Sequence, residues 1–514
     1  MTAATAGLVS MADIARMTGQ SRSTVGNWKA RHADFPPPAS RTSRGPLYDR
    51  SDVEAWLQRT GRLDPKVSAA PASGAGGPRV STALDRNDAG IGVVLLALRS
   101  LATEEQWTSV ARLAAAGKGG DVGKLACSVL PSVEGLVDWR TWNGRAAELS
   151  GLVNEVASLD ETRLPKLVDA MVTRCVLNES DVPHQVPRDL VLIPPSVQRL
   201  MTGLLRPSAG DVVYQAGPSL GQTIISVARE VREPKGALYL QESTEREAQL
   251  TRISLAAHGL AATVASGDVL QKDAFPELRA DKVIGTPPWE PKITGLADVA
   301  GDPRWLWGEP GANDSYLAWI QHCLYHLSDG GRAVILLPIN ALFERGKSAV
   351  ETRRRIVKAG HLEGVVSLPA GAIPGTTVRG VLLVLVKTPQ DWEITMLDMS
   401  INPDGSSGPE GVPTQERVAH VLEIYREAAE IAPEGGAGDV IYAGANNFSF
   451  ATIRDIAAHD FVLDPVRYRW EFGPATDADK MAIHFGELRA QLDTLIKACR
   501  DADQEVATLR GVDL

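Results

Sequence analysis

The chain is short of the features that would place it outside a cell or across a membrane. Its 514 residues include four cysteines, Cys127, Cys175, Cys323 and Cys499, far apart and without a CxxC spacing. They form neither a disulfide framework nor a zinc site, so no metal is expected and a reducing, cytoplasmic setting is. No apolar run approaches the roughly 18–20 residues of a membrane helix. The N-terminus also lacks the basic-then-apolar layout of a signal peptide. Internal repeats and low-complexity bias are missing too, which excludes solenoid and collagen-like architectures. No large charge of one sign is present: 53 Lys+Arg against 63 Asp+Glu leave a net −10. That balance argues against indiscriminate nucleic-acid binding and leaves room for a local basic module.

The distribution of what is there is uneven. At roughly 100–200 residues per domain, the length predicts several folded units. Residues 1–63 hold nine Lys/Arg against five acids, +4, so the remaining residues carry −14 of the total −10. Residues 1–62 read as one module and 63–86, containing AAPASGAGGPR, as a flexible linker with too few large apolar side chains for a core. Residues 87–184 read as a helical domain, with apolar positions three and four apart in VVLLALRSLA, EQWTSVARLAAAG, RAAELSGLVNEVAS and RLPKLVDAMVTRCV. Residues 185–390 alternate strands with helices, predicting a Rossmann-like, parallel-rich sheet. The expected strands are DVVYQ, GALYLQ, ATVAS, KVIGT, RAVILLP, EGVVSL and GVLLVLVK, several of them the continuous apolar runs of strands buried on both faces. A mixed region, 391–475, and a last helix, 476–514, complete the chain. The fold class is thus multidomain, α and α/β.

In the first module a helix over about Met11–Met17 packs Ile14 and Ala15 inward, and a turn at Gly19 leads to a second helix running to Arg31. Ser21 or Ser23 caps that second helix. It presents Arg22, Ser23, Thr24, Asn27 and Lys29 where helix-turn-helix proteins read the major groove. Phe35–Asp49 supplies Arg41, Arg44 and a Gly45-Pro46 turn, suiting a hairpin wing on phosphates. SDVEAWL closes the module as a short helix. The arrangement resembles the winged helix-turn-helix of MerR-like and excisionase-like DNA-binding proteins, which implies binding to double-stranded DNA. A small protein-docking domain with solvated arginines is the plainer alternative.

In the α/β region the chemistry-bearing residues fall at strand ends. Glu242 ends the second strand, where a carboxylate accepts hydrogen bonds from ribose hydroxyls, and Asp268 follows the third, placed for an adenine amine. Thr286-Pro287-Pro288-Trp289 follows the fourth; the prolines stiffen the loop, and the indole offers a face for a planar base. Each also has a structural reading, as a cap, a turn residue or a core aromatic, and Trp305 and Trp307 read as loop packing.

Taken in order, IPP (193–195), Gln241-Glu242, Gly267-Asp268, Pro287-Pro288-Trp289 and Leu337-Pro338 resemble the N6-adenine DNA methyltransferases, closest to the modification subunit of type I restriction-modification systems. The resemblance covers about residues 90–510. It implies one site for S-adenosylmethionine and a flipped base, with Gln215, Gly217, Gly221, Glu242 and Asp268 toward the cofactor and Thr286, Pro287, Pro288 and Trp289 toward the base. Two departures stand out. The family's first loop reads Asp-Pro-x-Cys-Gly-x-Gly-Gly; here it is Gln215-Ala216-Gly217-Pro218-Ser219-Leu220-Gly221-Gln222, with an amide for the acid and only Gly221 clearly in register. The family's catalytic Asn is Thr286, whose hydroxyl is a shorter and less polarised acceptor for the amine; losing one preorganised acceptor costs on the order of 3 kcal/mol, about a hundredfold in rate. Ser/Thr-Pro-Pro-aromatic loops resemble the cytosine-N4 class. The expected function is therefore a regulatory or scaffolding DNA-binding member with little or no catalysis; the alternative is an active methyltransferase of adenine-N6, or less so cytosine-N4, in restriction-modification or phage defence.

The last helix repeats Met481, Phe485, Leu488, Leu492, Leu495, Cys499, Ala502, Val506 and Leu509 at 4,3 spacing, a coiled-coil seam. It predicts a homodimer, or pairing with a specificity-subunit-like protein as the resemblance implies; a helix folded back on its own domain is the third option.

Overall fold

A computed structural model describes residues 8–10, 14, 25, 28–29, 32, 35–37, 40–42, 45–60, 89–179, 190–231, 235–289, 300–311, 315–343, 346–376, 378–390, 393–402, 406–431 and 447–468. The expected linker (63–86) and the coiled-coil seam from Met481 to Leu509 lie outside them. So do Arg22, Ser23, Thr24, Asn27 and Arg44 of the basic module. The chain divides into two compact units, Met1–Gly77 and Pro78–Leu514.

The first unit is small and relies on aromatic packing for its core. Strands β1 (Leu8–Ser10), β2 (Ser40–Thr42) and β3 (Gly45–Asp49) form an antiparallel sheet in the order β1-β3-β2, followed by helix α1 (Arg50–Arg59). Ile14, Val25, Phe35, Tyr48, Val53, Trp56 and Leu57 are buried together. Phe35 packs edge-on against Tyr48 (5.6 Å) and Trp56 (5.0 Å). Lys29 is exposed and its Nζ lies 5.6 Å from the centre of the Tyr48 ring. The hairpin exists, but its turn is not Gly45-Pro46: Thr42 pairs with Gly45 and Arg41 with Pro46, so the chain reverses between Thr42 and Gly45. Proline is tolerated inside β3 because the β1 ladder stops at Leu47, leaving Pro46 an edge position on that side.

In the second unit, α2 (Ala89–Leu101), α3 (Glu104–Ala115), α4 (Gly119–Val129), α5 (Ala146–Ala157) and α6 (Leu164–Glu179) build the helical region. Thr103 and Gln106 start α3 with a reciprocal capping box. The core of this region is continuous with Leu220, Leu250, Ile253 and Ala257 of the α/β region.

The α/β region runs α7 (Pro195–Leu205), β4 (Val213–Ala216), α8 (Gln222–Val231), β5 (Leu238–Glu242), α9 (Glu245–Ala257), β6 (Thr263–Ser266) and β7 (Ala280–Gly285). It continues with α10 (Ser315–Tyr325), β8 (Leu327–Pro338), α11 (Lys347–Lys358), β9 (Leu362–Ser367), β10 (Gly380–Val386), β11 (Ile394–Asp398), α12 (Gln415–Ile431), β12 (Phe448–Ala451) and α13 (Ile453–Ala458). All seven strands read from the sequence are present. They lie in one sheet of order β12-β11-β9-β10-β8-β7-β4-β5-β6. The run from β6 to β8 is parallel, whereas β10 is antiparallel to both neighbours. The β9–β10 connection carries no helix, so it cannot make the crossover a parallel pairing needs. Alternate residues face opposite ways. Ala333, Ile335 and Leu337 of β8 pack toward α10, while Val334 and Leu336 pack toward α7 and α12. Among the described residues no helix is long and apolar enough to cross a membrane.

Candidate functional site

Strand β4 is flanked by β5 on one side and β7 on the other, so successive connections leave it in opposite directions. A doubly wound sheet binds its ligands at such a switch point, beyond the C-terminal ends of the strands. The loops converging there carry the residues singled out in the sequence.

Glu242 lies at the end of β5 but does not face outward; it is 0% exposed. The Ser219 amide donates to Oε2 (3.1 Å), and the Gly221 amide (3.3 Å) and Thr251 hydroxyl (2.9 Å) donate to Oε1. The carboxylate therefore fastens the loop after β4 from beneath. Burial, with the Glu247 charge adding, pushes its pKa up to about 7, against the lowering effect of these three donors. Gln215 is equally buried: its amide donates to Gly217 O (3.3 Å) and its carbonyl accepts from Thr223 Oγ1 (2.6 Å). Leu220 sits in the left-handed region at φ +53° with its side chain buried, a conformation that costs a branched residue roughly 1–2 kcal/mol.

The loop after β7 begins with Thr286, 1% exposed. Its amide (2.9 Å) and its hydroxyl (3.4 Å) both donate to Ala216 O. Gly217 backs onto it: a Cβ there would lie 2.7 Å from Thr286 O, at φ +97°. Gly217→Ala is therefore expected to destabilise the unit by about 2–3 kcal/mol, read as a lower urea midpoint at unchanged slope. Pro287 is buried and Pro288 half-buried. Trp289 packs its ring against Gly380 of β10, its carbonyl accepts from the Tyr316 hydroxyl, and its indole N–H is buried without a hydrogen-bond partner among the described residues. Asp268 is exposed, and Oδ1 accepts from the amides of Leu270 (2.9 Å) and Gln271 (3.4 Å). Gln241 ties that same loop to β5 through Gly267 O, Lys272 O and the Ala274 amide. The structure thus brings Gln215, Gly217, Gly221, Glu242 and Thr286 into one knot, with Asp268 and Trp289 on neighbouring loops. Of the two carboxylates that the resemblance implies for S-adenosylmethionine, Asp268 has surface open to a ligand, whereas Glu242 is buried against the loop.

A family model described as N-6 DNA Methylase matches residues 191–473, more than half of the chain. The chain belongs to the N-6 DNA methylase family. Within it, the chain is 23% identical over 315 residues to the methylase subunit of the type I restriction enzyme HindI of Haemophilus influenzae, covering 59% of this chain and 68% of that protein. Over 289 residues it is 23% identical to the MjaIX methylase subunit of Methanocaldococcus jannaschii, covering 54% of this chain and half of that protein. Among solved structures, a type I restriction-modification methyltransferase subunit from Streptococcus thermophilus superposes with a TM-score of 0.59 at 19% identity, over 71% of this chain and 80% of that one. A chain from a study of complex assembly and conformational transition of the type I system superposes at 0.54 and 16%, over 85% and 96%. At such identities the structures establish the fold.

In this member of the N-6 DNA methylase family the loops are braced by a buried polar network that no motif announces. Arg304 is 2% exposed. It donates to Val269 O (2.8 Å) and Leu270 O (2.7 Å), directly after Asp268, and pairs with Asp302. Its fourth partner is His322 Nδ1, at 3.1 Å. His322 Nε2 meets the Tyr214 hydroxyl of β4 (3.1 Å), and His326 joins Asp273 (2.9 Å) to Leu278 O (3.0 Å). Burial first, then the charges of His326 and Arg304, holds the His322 pKa well below the usual histidine range. Asp273, His322 and His326 offer ligand atoms within 4.8 Å of one another. Their atoms are already engaged, and a guanidinium stands against His322, so the set does not suit a cation. The one signal available in the sequence is the His322/His326 pair, four residues apart on either side of Cys323.

Proposed function

We propose that this chain is a DNA-binding member of the type I modification-subunit branch in which methyl transfer is weak or absent, acting as a regulator or scaffold in the cytoplasm. The observation that carries this is Glu242: its two oxygens hold the loop after β4, and none of its surface is open to a ribose. Leu220 in place of a small loop residue, and a Thr286 hydroxyl that already donates to Ala216 O, support the same reading. Recognition of double-stranded DNA falls to Arg22, Ser23, Thr24, Asn27, Lys29, Arg41 and Arg44, supported by their local positive charge. Residues 476–514 then pair two copies, or join a specificity-subunit-like protein.

A second reading, an active S-adenosylmethionine-dependent methyltransferase, is favoured by the parallel strand order and by the exposed Asp268 beside the β7 loop. In that case Thr286 and Pro287 hold the amine of a base flipped onto Trp289. Calorimetric titration with S-adenosylmethionine, with and without DNA, separates the two. Our reading expects binding weaker than about 100 μM and no radiolabelled methyl transfer, in either the natural chain or Thr286→Asn. Tighter binding, with Thr286→Asn raising transfer about a hundredfold, would establish the enzyme instead.

A further inference from the structure

At the edge of the sheet where β4 and β5 begin, away from the loops described above, α7, α8 and α12 enclose a groove of about 450 Å3. Arg199 and Arg206 line it from α7 and its end, Arg426 and Glu423 from α12, and Glu230 from α8. The two long helices meet closely at its base, where a Cβ on Gly203 would collide with Leu422.

The positive charge here outruns its partners. Beneath the groove, Arg332 donates to Leu204 O (3.2 Å) and pairs with Glu363, which also accepts from the Tyr425 hydroxyl (3.1 Å). Glu363 is thereby committed. Lys282 lies 3.9 Å from Asp211. Arg199 donates to the Gln415 side chain (3.1 Å). Among the described residues, Arg206 and Arg426 have no carboxylate paired with them. Partial burial and then Arg332 pull the Arg206 pKa below its ordinary value, against the opposing charge of Glu363; Lys282 is lowered by burial and then by Arg332 and Arg206, against Asp211. Arg206 is also held in the left-handed region at φ +53°, the place a glycine usually takes at a helix end. Backbone strain and like-charge crowding converge on Arg206, and Glu363, the carboxylate that offsets them, is already paired with Arg332.

We propose that this groove binds a phosphate-type oxyanion, gripped by the forks of Arg206 and Arg426 with Arg199 at its rim. Guanidinium forks match phosphate oxygens two at a time. Glu230 and Glu423 on the walls favour a compact group, such as the end of a nucleotide, over a long polyanion. The phosphates of a DNA strand offer the same chemistry.

The full-length chain is titrated calorimetrically and by thermal shift with inorganic pyrophosphate, with ADP and with a 20-base-pair duplex. At least one probe is expected to bind with a Kd of about 100 μM or tighter and to raise the melting temperature. Arg206→Gln with Arg426→Gln is expected to weaken that binding by about tenfold or more. Arg206→Gly is the sharper variant, because glycine takes φ +53° without strain: it is expected to melt no lower than the natural chain and yet lose the response. Loss of the ADP response identifies a nucleotide as the source, and loss of the duplex response alone identifies a DNA strand. The proposal is wrong if every response survives Arg206→Gly, or if binding requires more than about 10 mM of each small probe and is absent for the duplex.

Discussion

Replacing Arg304 with methionine is expected to lower the unfolding free energy of the α/β unit by about 3–5 kcal/mol. The size follows from what is left behind. Methionine approximates the aliphatic stem but donates nothing, so Val269 O and Leu270 O lose their partners, and a buried, unpaired polar group costs about 1–3 kcal/mol. Asp302 is 20% exposed and regains water, so it adds less. His322 loses its partner on Nδ1, and burial keeps it from taking up a proton to compensate. The check is the urea midpoint, followed with amide exchange at Leu270–Ala274, which should speed up beyond the global change. A loss under about 1 kcal/mol would show that the loop holds without the arginine. Arg304→Lys keeps the charge but not the fork, and is expected to recover less than half of the loss.

Raising the pH from 5 to 8 is expected to weaken the fold through Glu242, and Glu242→Gln to flatten that slope. The carboxyl's folded-state pKa is raised to about 7 from 4.5, chiefly by burial. A raised acid contributes stability that is complete below about 4.5 and is lost as pH rises through 7, a span of roughly 3 kcal/mol. Glutamine has no charge to bury, so at pH 8 the variant should exceed the natural chain by about 1–2 kcal/mol, the remainder being lost because an amide nitrogen cannot accept from the loop. Urea midpoints across pH 5–8 decide it, and parallel slopes for the two chains would remove Glu242 as the origin. The loop itself responds with the opposite sign. Ionised Glu242 accepts from Ser219, Gly221 and Thr251 together, so the exchange of the Ser219 and Gly221 amides should slow, relative to intrinsic rates, as the pH rises.

The sequence makes much of this fold legible because strands buried on both faces are spelled as apolar runs, and RAVILLP or GVLLVLVK admits little else. The direction of β10 is not spelled that way: the same letters serve a parallel or an antiparallel neighbour, and only the helix-free connection after β9 decides. In the β2–β3 hairpin, Gly45-Pro46 carries a turn signature, yet the ladder registers it as the first two residues of β3. The loops that converge beyond the strand ends are readable as positions, but the hydrogen-bond partners of their residues are not. Glu242 has the same letter whether it meets a ribose or the loop; which it meets depends on Leu220, Ser219 and Thr251 arriving from elsewhere. Arg304 leaves little trace: Asp302 lies two residues before it, but its other partners lie in a loop more than thirty residues upstream and on a later helix, with no spacing to betray them.

Leu220 has a further consequence, for anyone wishing to build a glycine-rich loop here. Its side chain belongs to the same buried cluster as Leu250, Ile253 and the helices of residues 89–179. Leu220→Gly would relieve the left-handed backbone but open a hole between two regions, a loss of about 2–5 kcal/mol for a large-to-small change against roughly 1–2 regained. Leu220→Gly is uphill on its own and needs a filling change on α9 or in the helical region to accompany it. Leu220 is thus held by its packing more than it is opposed by its backbone, and the cluster it fills ties the loop after β4 to the helices of residues 89–179.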